Sequence, residues 1–200
     1  MIMAMDPREP KSEGTENLIR GLQAKDPAAL RRFVEEYGPR IQGFLYCLVH
    51  SREIAEDLSQ EVILRIFRKC GQLRSMQKFE TWLFTLARNV AYKEMKHKRY
   101  KAEIPMEQTW FDTRLSGETG HPVRRLSSEE ASMLLSEAFG VLDYKPREIM
   151  ALRYYSGLSL QAIAAVMNIP LGSVGTTIKR SLEKLKKYFD SKGIKLEDLL

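Results

Sequence analysis

The chain carries only two cysteines and three histidines in 200 residues. Cys47 and Cys70 each fall inside an apolar helical pattern, which fits buried, reduced thiols of a cytosolic protein and not a disulfide framework. Cys47 and His50 have the spacing of half a metal site, but no second Cys or His pair completes it, so neither zinc nor another cofactor is expected. His50, His97 and His121 are scattered, no serine or cysteine has a base at a motif spacing, and no glycine-rich phosphate loop is present; an enzyme is not expected. No apolar run approaches the roughly 18 to 20 residues that cross a bilayer, and the opening MIMAMDPREPKSEG lacks the apolar stretch of a secretory signal. The expectation is a cytoplasmic protein with no membrane insertion and no small-molecule substrate. Strand signals, internal repeats and low-complexity tracts are also missing, which leaves the all-α class.

What the chain does have is helical periodicity. A hydrophobic fraction of 44% suffices for one ordinary domain or two small ones. Residues 1–14, with Pro7, Pro10 and Gly14, read as a disordered leader. Thr15 can cap a short helix, and Asp26 before Pro27 is a start signal, because proline at the first helical position loses no hydrogen bond. Leu30, Phe33, Val34, Tyr37, Ile41, Phe44, Leu45 and Leu48 then repeat at three and four, lining one helix face. Ser51 can cap a third helix that Gly71 ends, and a fourth begins near Phe79 with Trp82, Leu83, Leu86, Val90 and Ala91 on one side. These four helices form a first domain over 15–99.

From Tyr100 to Leu126 the periodicity stops, and the polar stretch punctuated by Pro105, Gly117, Gly120 and Pro122 reads as a flexible interdomain linker, 100–126. Ser127 with Glu130 forms a capping box that opens a second helical domain, 127–190, ahead of a C-terminal tail, 191–200. Within it Pro146 marks a helix start and Gly157 its end. Ser159 caps a short helix, Asn168-Ile169-Pro170 breaks it, and beyond Gly172 a longer helix presents Val174, Ile178, Leu182 and Leu185.

A short helix, a tight break and a second helix form a helix-turn-helix layout, in which small Ala164 permits close approach while Ile163, Val174 and Ile178 share the core. Turning those residues inward leaves Ser173, Thr176, Lys179, Arg180 and Lys184 outward, as donors suited to base edges and phosphates in a major groove. The net charge is +6, from 32 basic and 26 acidic residues, and part of the surplus sits here. Lys179, Arg180, Lys184, Lys186, Lys187 and Lys192 face only Glu183 and Asp190.

The end of the fourth helix makes a different offer. Arg88, Lys93, Lys96, Lys98, Arg99 and Lys101 stand against Glu94 alone, with Trp82, Phe84 and Tyr92 nearby, a mixture suited to single-stranded or locally opened DNA. Trp82 is expected to serve mainly the core, whereas Asn89 can read a base, having a donor and an acceptor on one side chain. The third helix is acidic in its first half. Helix-dipole matching explains that charge order by itself, but an acidic face between basic regions would repel DNA and suit a protein, so Asp57, Gln60 and Glu61 are read as a docking surface.

Three segments, DLSQEVILRIF at 57–67, FETWLFTLARN at 79–89 and LSLQAIAAVMNIPLGSVGTTIKRSLEKLK at 158–186, together resemble the extracytoplasmic-function group of bacterial sigma factors. The resemblance runs from Leu18 to Tyr188 and implies a non-catalytic subunit that binds core RNA polymerase and promoter DNA. It implies that Asp57 to Phe67 docks on the polymerase clamp, that Arg88, Asn89, Tyr92, Lys93 and Lys96 lie in the segment recognising and opening the minus-ten element, and that the helix-turn-helix reads the minus-thirty-five element. It implies a cognate anti-sigma protein as well. Two positions depart from the family pattern: Lys93 stands where an acid is common, and Ala162 stands where a glutamate would support the Ser159 cap. The competing reading is a freestanding helix-turn-helix regulator, which would need neither the acidic face nor the Trp82 to Asn89 segment.

Overall fold

A computed structural model of the chain describes residues 13–73, 75, 78–102 and 138–193. Seven α-helices lie within them: α1 (Glu13–Gln23), α2 (Pro27–Val49), α3 (Arg52–Lys69), α4 (Phe79–Ala102), α5 (Tyr144–Tyr154), α6 (Leu160–Met167) and α7 (Leu171–Ser191). No strand occurs among the described residues, in keeping with the all-α expectation. The Ser127–Glu130 capping box and 103–126 of the expected linker lie outside them.

Local chemistry sets most of the boundaries. Asp26 Oδ1 accepts the Ala28 N–H at 2.9 Å, with Pro27 at the first helical position, so the start of α2 is the one expected. Ser51 Oγ accepts the Ile54 N–H at the start of α3. At the start of α6, Ser159 Oγ accepts the Ala162 N–H at 3.2 Å; the cap forms without a glutamate at 162. Asn168 closes α6 in the left-handed conformation at φ 52°, which its short polar side chain tolerates.

Five boundaries differ from expectation. α1 starts at Glu13, inside the stretch read as a leader, so Thr15 is helical and not a cap; glutamates at 13 and 16 suit the positive end of the helix dipole. α3 passes into a 3-10 turn, Cys70–Gln72, in place of a glycine stop at Gly71. α4 continues to Ala102, three residues into the expected linker, because KEMKHKRYKA consists mostly of good helix formers with no Gly or Pro. α5 begins two residues before Pro146 and α7 one residue before Gly172; proline and glycine are both tolerated in a first turn.

α1 to α4 enclose a core in which Phe33 stacks on Tyr37 at 5.2 Å and both meet the edge of Phe79 at 6.2 and 5.5 Å. Phe44 meets Phe84 edge-on at 5.7 Å. Cys47 and Cys70 are buried and free, as expected. In the C-terminal region α7 packs across α5 and α6, burying Val174, Leu185 and Phe189. Leu182, expected in this core, is 43% exposed, and Ser181 takes the inward place at 2%. Val174 to Leu185 spans about three turns, so the stripe between them passes through 178 and 181 and leaves 182 on its flank. The two regions also touch each other: α2 packs on α5, and α4 packs on α6.

Candidate nucleic-acid interface

α6 and α7 meet across Asn168-Ile169-Pro170, so the start of α7 projects beyond α6 as the second element of a helix-turn-helix. Ser173, Thr176, Arg180 and Lys184 are exposed there, and Gly172, Ser173, Thr176, Thr177 and Arg180 together line a shallow polar concavity. Thr176 and Thr177 donate their hydroxyls to the carbonyls of Gly172 and Ser173 at 2.9 and 2.7 Å, which restrains their rotamers. Lys184 reaches Asp143 at 3.3 Å, an exposed pair worth little. Lys179 is exposed but does not join this face; it borders an apolar groove with Leu160, Ile178 and Leu182. Thr177 is a residue that sequence reasoning missed. Its signal was present, four positions after Ser173 on the same helix side.

On α4 the expected residues divide into two faces. Asn89, Lys93 and Lys96 are exposed at spacings of four and three. Arg88 and Tyr92 instead turn toward α5, where Arg88 Nε donates to Glu148 Oε1 at 2.7 Å and the Tyr92 hydroxyl donates to Oε2 at 3.1 Å. The Arg88 guanidinium also lies over the Tyr92 ring, 4.6 Å from its centre. Glu148 is wholly buried. Burial pushes its carboxyl pKa up, and Arg88 and Tyr92 pull it back. Of the aromatics near this segment, Phe84 is fully buried and cannot stack on a base, and Trp82 packs at 6.2 Å on Phe79, the core role expected of it.

On α3, Asp57 and Gln60 are exposed and Glu61 is half-buried in an ion pair with Arg65. Leu64, 53% exposed, continues their line by a further turn, an apolar neighbour that its place in an apolar pattern concealed.

Arg147 is 2% exposed and binds the carbonyls of Phe139 at 2.9 Å and Leu142 at 2.8 Å, tying down the turn before α5. Its guanidinium also donates to Nε2 of His50 at the end of α2. Loss of solvent at that end of the ring, with the guanidinium charge beside it, pushes the His50 pKa down to about 4. An unfolded histidine titrates near 6.5, so the folded chain binds fewer protons below that pH and is destabilised as pH falls from about 6.5 toward 4. Melting at pH 7 and pH 5 tests this: wild type should lose more stability on acidification than His50→Asn, which keeps a residue tolerant of the left-handed φ of 50°. Equal losses would remove His50 as a cause.

The sequence also matches two family models, Sigma-70 region 2 over residues 33–100 and Sigma-70, region 4 over residues 132–185. The RNA polymerase sigma factor CarQ of Myxococcus xanthus is 30% identical over 152 residues, 76% of this chain and 83% of that protein. The chain belongs to the extracytoplasmic-function group of the sigma-70 family. The sigma-H factor of Pseudomonas aeruginosa is 28% identical over 88% of this sigma factor and 93% of its own length; for SigW of Bacillus subtilis the figures are 28%, 84% and 93%. Among solved structures, CnrH in complex with the cytosolic domain of CnrY has a TM-score of 0.65 at 16% identity, covering 90% of this chain and 99% of its own. RpoE of Bartonella quintana, in complex with the anti-sigma factor NepR, has a TM-score of 0.60 at 20% identity, covering 80% and 96%. Both show the same fold. Family membership displaces the freestanding regulator. No described helix is long and apolar enough to cross a membrane.

Proposed function

We propose that this sigma factor directs promoter-specific initiation through three separate surfaces. The Ser173, Thr176, Thr177, Arg180 and Lys184 face of α7 enters the major groove at the minus-thirty-five element. The Asn89, Lys93 and Lys96 face of α4, joined by Arg88 and Tyr92, holds the opened minus-ten element. Asp57, Gln60, Glu61 and Leu64 on α3 dock on core polymerase in the cytoplasm, and a cognate anti-sigma protein restrains the free chain. Catalysis stays with the polymerase. The observation that carries this reading is the helix-turn-helix whose second helix presents Ser173, Thr176 and Arg180 together to solvent.

Transcription from a panel of genomic promoter fragments tests it. Core polymerase with this chain should yield discrete promoter-directed transcripts that core alone does not, and identical products would refute the proposal. The α3 surface has its own test. Asp57→Arg reverses the charge of an exposed side chain, so helical content should be unchanged while core affinity falls by about tenfold or more, the effect of ~1.4 kcal/mol at a charge-matched interface. Undiminished binding of core by that variant would move the docking surface elsewhere.

A further inference from the structure

The contact between α4 and α5 joins residues far apart in sequence and uses side chains that the DNA reading needs. Glu148 lies fully inside it, accepting from Arg88 Nε and from the Tyr92 hydroxyl through its two oxygens. A guanidinium and a phenol converging on a pair of anionic oxygens is also the arrangement by which proteins hold a phosphate. A buried carboxylate is costly unless fully partnered, and here its partners come from the other region, so separating the regions would strip them away while giving the carboxylate back to water.

We propose that Glu148 is an intramolecular phosphate mimic: in the free chain it holds Arg88 and Tyr92 in a closed arrangement and keeps that part of α4 from DNA until the two regions part. The proposal rests on the reading of α4 as a DNA surface. Other parts of the same interface support a stable closed arrangement. Gly43 on α2 lies so close to Tyr155 that a Cβ there would meet the ring at 2.4 Å, and Arg40 donates to the carbonyl of Ser156. Tyr144 lies edge-on to Tyr92 at 5.6 Å. An anionic group of the chain's own thus occupies a cationic site whose ligand is a polyanion, and competition between the two follows from charge alone.

Two substitutions loosen the closed arrangement from opposite sides without touching the proposed DNA contacts. Glu148→Gln removes the charge that binds Arg88. Gly43→Ala drives a methyl group into the Tyr155 ring while favouring the α2 helix itself. Both full-length variants and wild type would be compared by circular dichroism, by small-angle X-ray scattering, and by anisotropy titration of a labelled mixed-sequence single-stranded 12-mer, without polymerase. Both variants should keep their helical content and show a larger radius of gyration. They should also bind the oligonucleotide more tightly, by up to about tenfold if the open fraction rises from about a tenth to nearly all.

Unchanged scattering in both variants would overturn the closed arrangement. Opening by Gly43→Ala but not by Glu148→Gln would overturn the assignment to Glu148, and opening without a gain in affinity would overturn the masking of α4. Scattering reads the latch without reference to DNA. Photocrosslinking of promoter DNA to α4 in the holoenzyme reads the DNA surface without reference to the latch, so failure of one is distinguishable from failure of the other.

Discussion

Phe44→Ala is expected to lower stability by about 3–5 kcal/mol, the range for removing a fully buried aromatic ring. Phe44 lies at 0% exposure on α2, with its ring edge-on to Phe84 of α4 at 5.7 Å. α2 packs against α1, α3, α4 and α5, so a cavity here undermines every element that positions the α3 and α4 surfaces. For a region of this size each kcal/mol moves the melting midpoint by roughly 4–8 °C, so a fall of about 12–40 °C is expected in a thermal scan followed by circular dichroism. Phe44→Leu should cost much less, because it retains most of the buried volume. A loss under about 1 kcal/mol for the alanine variant would mean that the site collapses around the missing ring, and that α2 is not the element on which the others depend.

That dependence explains which features were legible in the amino-acid order. The caps at Asp26, Ser51 and Ser159 were readable because each acts on N–H groups two or three residues away, and no distant contact competes with them. The inward line of α2 was readable because Phe33, Tyr37, Ile41, Phe44 and Leu48 allow one helix face and no other. α7 was ambiguous at one step. Ser181 and Leu182 both continue the spacing from Ile178, and hydrophobicity favours the leucine, but the packing of α7 on α5 and α6 selects the serine. The ligands of Arg88 and Tyr92 could not be read at all. Glu148 is 60 and 56 residues away, and a glutamate in a helix is ordinarily a solvated surface ion. The same applies to Arg147, which follows Pro146 as an unremarkable helical cation yet is buried among the carbonyls of the preceding turn. Periodicity carries the apolar pattern; charged residues buried by packing, whether against a second region or against a neighbouring turn, leave no mark in it.

Because the α7 face was legible while its detailed grouping was not, a paired substitution separates base reading from charge. Arg180 sits beside Ser173, Thr176 and Thr177 on the N-terminal half of the helix, with no ion pair among the described residues, and its planar fork can meet two acceptors on one guanine edge there. Arg180→Ala should weaken holoenzyme binding to a cognate promoter by ~1–3 kcal/mol, about 5- to 150-fold, and leave binding to an upstream-scrambled promoter nearly unchanged. Lys187, exposed two turns further along the same side, is placed for a phosphate and not a base. Lys187→Ala should therefore weaken both promoters alike and lower the slope of log affinity against log salt by roughly one. The two outcomes differ in kind, so a titration at three salt concentrations on both promoters distinguishes them. Equal losses for Arg180→Ala on cognate and scrambled sequences would reduce it to a phosphate contact and shift base reading to Ser173, Thr176 and Thr177, whose hydroxyls are already committed to backbone carbonyls in two of the three cases and could serve only as acceptors or through their methyl groups.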